Sequence, residues 1–179
     1  MMNIQAAAFL VLSMLAPSRV QAAEKSVAVS LKSFACVAPS GWRVERKEEE
    51  LYFSDSKTVE GLSSRVAIRF FGPKQKVFEN AADYLQRQTG PGLFKVKGET
   101  LGPVEKTTIA GYPAWRFSRD SSEFVPPGVL HPKEIKVREE FVVVDRGGGF
   151  FVLSHRAPGA LFKKNSSVFR KILGSFRPL

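Results

Sequence analysis

The sequence predicts an α+β fold in which helices pack on a central, mainly antiparallel sheet. Several segments alternate apolar with polar residues at a period of two, as strands with one buried face do. Two later segments place apolar residues at helical spacing instead. The predicted order is several strands, a helix, more strands with a long hairpin, and a final helix. Such an order favours an α/β/α sandwich around one sheet over repeated βαβ units.

The first 22 residues are interpreted as an export signal that precedes this domain. Residues 4–16 are apolar and uncharged, and they are fewer than the roughly 20 that a membrane-spanning helix needs. Small residues at Val20 and Ala22 match a signal-peptidase site, so we expect cleavage after Ala22 or Ala23. The absence of a basic side chain before residue 4 is atypical, and a buried N-terminal helix is the alternative.

Residues 23–179 are expected to form one domain, exported to the periplasm or beyond the cell. The sequence has 27 Lys and Arg against 17 Asp and Glu, and removal of Arg19 with the signal leaves 26 − 17 = +9. A chain of this length buries about 70% of its unfolded surface without disulfide bonds. Cys36 is the single cysteine, so it has no intramolecular partner, and no cysteine follows the apolar run as a lipid-attachment site.

The strands are predicted from alternating β-branched and aromatic residues. The alternation is clear at residues 27–31, 66–70 and 115–117. A hairpin is the strongest signal, because residues 135–144 and 150–155 are both β-rich and three glycines lie between them. Gly111 is expected at a second reversal, between residues 104–109 and 114–118.

Two segments are predicted to be helical. Residues 77–88 place apolar side chains on one face, and this helix should end before Gly90. Residues 162–176 carry an apolar stripe that includes Phe162, Phe169 and Phe176. We expect the lysines and arginines of this second helix to lie partly in its final turns, where they would oppose the negative end of the helix dipole.

Three short motifs together resemble one superfamily of proteins. They are a Pro-Ser-Gly-Trp turn at residues 39–42, Ile-Ala-Gly-Tyr-Pro-Ala at 109–114 and Phe-Arg-Lys-Ile-Leu-Gly-Ser-Phe at 169–176. In this order they resemble the PsbP/DcrB-like proteins, a superfamily that shares its fold with a Ran-binding nuclear-import factor. The resemblance covers residues 34–178 and implies an α/β/α sandwich with a non-enzymatic binding or assembly role. Its members bind unrelated partners, so the resemblance does not identify one.

No catalytic, cofactor or metal site is predicted. The two histidines, His131 and His155, fall in different elements, and no paired His or Cys spacing typical of a metal site occurs. No phosphate-binding or dinucleotide-binding glycine motif is present. Cys36 is expected to be a buried strand residue, and a Cys-dependent enzyme is the less favoured alternative.

The predicted binding surface is a stripe of cations on the strands. Strand parity groups Arg65 with Arg69 and Lys136 with Arg138. If the strands are neighbours, we expect one basic face, although evenly spread solvated charge would also fit. The residues of this candidate surface are Arg65, Arg69, Arg116, Lys136, Arg138 and Arg156. Its expected partner is an acidic envelope protein, or alternatively an anionic lipid or glycan, because long-range attraction favours anions and export makes nucleic acid an unsuitable partner.

A second candidate is a proline-rich loop predicted at residues 120–134. It is longer than a simple connection and carries apolar residues among its prolines. Either it docks a partner or it packs back onto the domain. Its candidate docking residues are Phe124, Val125, Val129, Leu130 and His131. The sequence therefore predicts a non-catalytic, exported envelope protein that binds through a basic surface, this loop, or both.

Overall fold

The structure, a computed structural model, describes residues 27–75, 77–90 and 98–179, so the predicted export signal at residues 1–22 lies outside the described residues. Within these ranges the elements are β1 Val27–Ser30, β2 Phe34–Ala38, β3 Arg43–Lys47, β4 Glu50–Val59, β5 Leu62–Phe71, α1 Ala81–Thr89, β6 Thr100–Leu101, β7 Glu105–Ile109, β8 Tyr112–Val125, β9 Lys133–Asp145, β10 Phe150–Pro158, α2 Gly159–Ser175 and β11 Arg177–Pro178.

One large sheet forms the centre of the fold. Its strand order among the described residues is β3-β4-β5-β10-β9-β8-β6, with β7 also paired to β8, and its ladders are antiparallel. A smaller antiparallel sheet has the order β1-β2-β11. The predicted α+β class is confirmed, with the two helices on opposite faces of the large sheet. We name these faces the α1 face and the α2 face.

The α2 face carries the larger core. Helix α2 and the small sheet cover the central strands, and aromatic rings of Phe34, Phe151 and Phe176 meet with centroids 5.2–5.9 Å apart. Edge-to-face ring contacts of this kind add to the free energy of area burial. Cys36 lies in this core at 3% exposure, as predicted for a strand residue.

The α1 face carries a second core beneath the shorter helix. Tyr84 and Leu85 pack on Phe141, Val143 and other buried sheet residues. The helix was predicted from residue 77 but begins at Ala81, because the Asn80 side chain accepts a hydrogen bond from the Asp83 amide at 3.0 Å and fixes the first turn. The end before Gly90 is confirmed.

The reversals follow the glycine signals. Ala110 and Gly111 both have positive φ, 51° and 87°, between β7 and β8. Gly149 closes the β9–β10 turn with φ 153°, and a side chain there would meet the Phe70 ring at 2.8 Å. Only glycine suits that position, because it combines a positive φ with a close approach.

Helix α2 ends differently from its prediction. Its last turn holds no basic residue. Instead, Arg177, just beyond the helix, donates hydrogen bonds to the carbonyl oxygens of Gly174 and Phe176 at 3.1 and 2.6 Å. The cation that satisfies the C-terminal end therefore comes from β11.

The predicted loop at residues 120–134 is mostly strand. Residues 120–125 belong to β8 and residues 133–134 to β9, so only residues 126–132 connect the two. The ladder between β10 and β9 stops at Val137, and residues 122–125 and 133–136 pair with each other beyond it. We name residues 122–136 the hairpin arm. None of residues 120–134 is buried, so these strand segments lack the alternation by which the others were recognised.

Candidate binding surfaces

The six predicted cations do not share one face of the sheet. Side chains of directly paired residues lie on the same face, and Arg65 pairs with Arg156, which pairs in turn with Glu139. Arg69 lies four residues from Arg65 on the same strand. These three arginines therefore belong to the α1 face.

The other three cations lie on the α2 face. Arg138 is adjacent in sequence to Glu139 and so points the opposite way, together with Lys136. Arg116 pairs with Val142, which has the parity of Arg138. The single basic stripe expected from the sequence is therefore wrong, because it required the relative register of four strands and only the parity within each strand could be read.

On the α2 face, each of these cations has a carboxylate partner. Arg116 pairs with the buried Glu140 carboxylate, and Lys136 with Glu134. Arg138 lies 3.7 Å from Asp120 and also 5.4 Å from the Phe162 ring of α2. Two adjoining cavities of about 300 and 360 Å³ follow this row, and Arg138 and Phe162 line both. The positive charges of Arg116, Lys136 and Arg138 are therefore largely neutralised by these neighbouring carboxylates.

On the α1 face, cations gather around one tyrosine. The guanidinium of Arg65 lies 4.0 Å from the centroid of the Tyr52 ring, with Arg69 at 5.6 Å and the Lys47 ammonium at 5.8 Å. Arg69 also donates to the Tyr52 hydroxyl at 3.1 Å and pairs with Glu50 at 3.3 Å. Stacking on an aromatic ring holds a guanidinium in place while leaving its N–H groups available.

Two arginines face each other across the ladder on this side. Arg65 and Arg156 are directly paired on adjacent strands, a destabilising arrangement for like charges. Burial, followed by the charge of Arg65, lowers the pKa of Arg156. Arg156 has carboxylate partners in Glu123 and Glu139, whereas Arg65 has none among the described residues.

The hairpin arm displays apolar side chains to solvent. Phe124 is 56% exposed, Val129 45% and Leu130 90%, and Val125 and His131 lie beside them. The arm does not pack back onto the domain at these positions. Next to the connecting loop, the Lys133 ammonium lies 2.6 Å from Glu60 in the β4–β5 turn. Exposed large apolar groups close together on a ribbon are typical of contact surfaces.

A further cavity lies beside β3 on the α2 face. It measures about 670 Å³. Trp42, Val44 and Val27 form its walls, and the buried Val29 and Ala38 lie in its floor. No local pattern in the sequence indicates this cavity, because its lining comes from three strands and the turn between two of them.

A buried serine–histidine pair lies beneath α2. Ser64 Oγ and His155 Nε2 are 3.0 Å apart, and both residues are 0% exposed. Burial lowers the pKa of His155 to about 4, and its ring stacks on Phe162 with centroids 4.7 Å apart. Glu140 is the direct ladder partner of His155. The residue types match a hydrolase triad, but a nucleophile must reach its substrate, and this serine is closed off.

The remaining chemical candidates are also buried or dispersed. Burial raises the pKa of the Cys36 thiol to about 11, which opposes formation of the nucleophilic thiolate. Among residues 27–75, 77–90 and 98–179, His, Cys, Asp and Glu form no group that could hold a metal ion. The described helices include none long and apolar enough to span a membrane.

The sequence missed those features that depend on pairing between distant strands. Ser64 and His155 are 91 residues apart, and Tyr52 meets its arginines across β4 and β5. No local spacing in the chain could have indicated either contact. Arg43, which lies on the edge strand β3 and on the α1 face, was also not included among the predicted cations.

No protein-family model matches this chain, and no curated protein matches it either. Solved structures do match. PA94 from Pseudomonas aeruginosa, of unknown function, is 12% identical, with a TM-score of 0.56 over 86% of this chain and 97% of its own. LpqN from Mycobacterium tuberculosis, involved in cell envelope biogenesis, is 15% identical, with a TM-score of 0.53 over 86% of this chain and 90% of its own.

The cyanobacterial PsbP of Synechocystis also matches, at 12% identity and a TM-score of 0.48 over 92% of this chain and 99% of its own. At such low identities the likeness concerns the fold alone. PA94 and LpqN share the fold of this chain, while partner and activity are outside what a shared fold determines.

Proposed function

We propose that this chain is an exported cell-envelope protein that binds another protein without catalysing a reaction. The observation that carries the proposal is the hairpin arm, a ribbon that continues beyond the β10–β9 ladder and exposes Phe124, Val129 and Leu130. Exposed aromatic and aliphatic groups of this kind become buried anchors when a partner covers them.

The charges of the domain fit the same role. The formal net charge of +10 for the full chain, or +9 after signal removal, speeds encounters with acidic surfaces through long-range attraction. An envelope location is further supported by LpqN, which has this fold and is involved in cell envelope biogenesis. The two adjoining cavities on the α2 face are lined by charges that pair with each other, Arg116 with Glu140 and Arg138 with Asp120.

Capture of a partner from the envelope fraction of the source organism tests the proposal. The protein, purified after expression of the full chain, would be used as bait at low and high salt. The test variant is Phe124→Ser/Leu130→Ser. The matched control is Val77→Ser/Val104→Ser, which removes two other apolar side chains that are 60% and 43% exposed.

We expect one partner to be captured by the wild type and the control, and to be lost with the arm variant. Retention by the arm variant would exclude the arm as the contact, and failure to capture any protein at low salt would overturn the proposed function. Binding to phosphatidylglycerol vesicles is measured in a separate experiment. Vesicle binding without protein capture would replace the proposal with peripheral association with anionic lipid.

The competing Cys-dependent enzyme has a direct test. A thiol with a pKa of about 11 and 3% exposure should react with iodoacetamide at neutral pH at least about 100-fold more slowly in the native protein than in urea. Mass spectrometry follows the modification over time. Comparable rates in the two states would mean that Cys36 is accessible and would support the hypothesis of a Cys-dependent enzyme.

A further inference from the structure

Strand β3 has a free edge. Within the described part of the chain it pairs with β4 alone, through the register Arg43↔Ser54 to Lys47↔Glu50. The outer side of such a strand presents unpaired backbone N–H and C=O groups, which form a template for another strand. Proteins use this template to bind extended peptides, in which main-chain hydrogen bonds give affinity and alternate side chains give specificity.

One side of this edge is mostly apolar, with Arg46 as a basic residue among those that line it. The cavity of about 670 Å³ opens beside β3 on the α2 face, between Val44 and the small sheet. Val27 and Val44, which line it, are 62% and 39% exposed. Every second side chain of an added strand would point toward this cavity. Apolar side chains would gain free energy there by leaving water.

The opposite side of the same edge is basic. Arg43, Ser54, Arg65 and Arg156 occupy one row across β3, β4, β5 and β10 on the α1 face. Among the described residues, neither Arg43 nor Arg65 has a carboxylate within ion-pair distance, and both lower the pKa of the neighbouring Glu45, after the stronger effect of Lys47. The stacked guanidinium of Arg65 lies over Tyr52 on β4, one strand in from the edge.

The uncompensated charge in this row favours an acidic occupant. Screening by physiological salt has a length of about 8 Å, so Arg43, on the edge strand itself, acts most strongly on a chain placed along β3, and Arg65, two strands further in, acts more weakly. The like-charge contact of Arg65 with Arg156 is destabilising in the free protein, and a nearby carboxylate would relieve it. The two sides of the edge therefore select different side chains.

We propose that an extended segment of a partner protein adds to the edge of β3 as a further strand, with alternating apolar and acidic side chains. The apolar ones enter the cavity beside Trp42, and the acidic ones lie over Arg43 and toward Arg65. This inference rests on the proposed function, because it names the chemistry of a protein partner. It concerns a surface separate from the hairpin arm.

The test uses a labelled synthetic peptide in which glutamate and valine alternate over the length of β3. Its comparison is a peptide of equal composition with the two residue types in separate blocks. Binding is measured by fluorescence anisotropy, and hydrogen–deuterium exchange locates the contact on the full chain. The charge variant is Arg43→Glu/Arg65→Glu, and the matched control is Lys164→Glu/Lys171→Glu, which changes the net charge equally at exposed positions of helix α2.

We expect the alternating peptide to slow exchange in residues 43–47, and the charge variant to bind it about tenfold more weakly, a change of about 1.4 kcal/mol. The control should change affinity by less than about threefold, which is under 1 kcal/mol. Val44→Asp provides a second variant, because it places a charge at the cavity and should weaken binding without altering the arginines. Thermal unfolding checks that each variant is folded.

Several results would overturn the inference. These are the absence of peptide binding, binding without protection of β3, equal binding of the blocked peptide, and equal weakening in both double variants. Protection of β3 by phosphatidylglycerol vesicles instead of the peptide would assign the row to anionic lipid. If the envelope partner is still captured while the peptide test fails, only strand addition is rejected and the proposed function stands.

Discussion

The two faces of the large sheet carry three each of the six predicted cations, but they differ in how that charge is compensated. On the α2 face, Arg116, Lys136 and Arg138 each meet a carboxylate. On the α1 face, Arg65 has no such partner among the described residues and is placed opposite Arg156. Net charge is thus a poor guide to a binding surface, since what attracts a ligand is the charge that the fold leaves uncompensated.

The faces differ in packing as well. The α2 face combines helix α2, the small sheet and the central strands in one cluster that includes Phe34, Phe151 and Phe169, each 0% exposed. The α1 core is smaller and is covered by the nine residues of α1, so that β3, β4 and part of β5 stay open on that side. The α2 face therefore provides most of the stability, and the α1 face provides the open surface.

Truncation of one core residue on each face gives the largest expected effect. Phe169→Ala should lower the free energy of unfolding by about 3–5 kcal/mol, because a fully buried ring leaves a cavity. Leu85→Ala on the α1 face, where the side chain is 8% exposed, should cost about 2 kcal/mol. Urea denaturation of both variants measures the difference, and equal costs would contradict the assignment of the main core to α2.

The buried His155 gives the α2 face a pH dependence. Its pKa falls from 6.5 to about 4 on folding, so between these values the unfolded chain binds a proton that the folded protein does not. Stability is then fully present above pH 6.5 and declines as the pH falls, by roughly 3 kcal/mol at pH 4. Urea midpoints from pH 7.5 to pH 4 measure this loss.

The control for this titration is Ser64→Ala/His155→Phe, which replaces both hydrogen-bonding partners with apolar groups. Glu139, whose pKa is raised by burial, contributes to the pH profile in the opposite direction and is retained in the control. We expect the difference between the two profiles to isolate His155. An unchanged slope in the double variant would show that other groups cause the pH dependence.

Identical charge reversals on the two faces should have unequal costs. Arg116→Glu places a second carboxylate beside the buried Glu140 and should destabilise the protein by about 2–3 kcal/mol. Arg65→Glu should change stability by less than about 0.5 kcal/mol, because relief of the repulsion from Arg156 offsets the lost stacking on Tyr52. Denaturation at low salt compares them, and a large cost at Arg65 would mean that this arginine has a structural role.

The smallest effect concerns the caps of the two helices. Asn80→Ala should lower stability by about 1 kcal/mol, since the first turn of α1 loses its side-chain acceptor, whereas Asn80→Asp should retain it. Helix α2 follows Pro158 and has no side-chain cap to remove. Thermal unfolding detects the shift. No loss in Asn80→Ala would show that packing alone positions α1.

The sequence was sufficient for the fold class because alternation and glycine turns are local signals. It predicted the β9–β10 hairpin and the burial of Cys36 correctly. It failed at residues 120–134, where both faces of a ribbon are solvated, and at Val77, whose apolar side chain extended the predicted helix past its cap. In both places the pattern lacked the contrast between a buried and an exposed side.

The sequence identified individual residues of the candidate surfaces, but it could not show which of them lie together on one face. Parity fixed the relation of Arg65 to Arg69, but the relation of Arg65 to Arg138 depends on two ladders and one turn. A shift of one residue in either ladder would have reversed it. The free edge of β3 follows from which strands fail to pair, a property of the whole sheet.

The pairing of β11 with β2 sets an order of events during synthesis. Arg177 and Pro178 pair with Ala35 and Phe34, so the small sheet joins residues about 140 positions apart. At roughly 5–20 residues per second, a ribosome needs on the order of 10 s to make the intervening chain. Throughout that interval Phe34 has neither β11 nor α2 to cover it. The α2 face can assemble only after translation of its last strand, so its core residues stay exposed to solvent on the nascent chain until synthesis is almost finished.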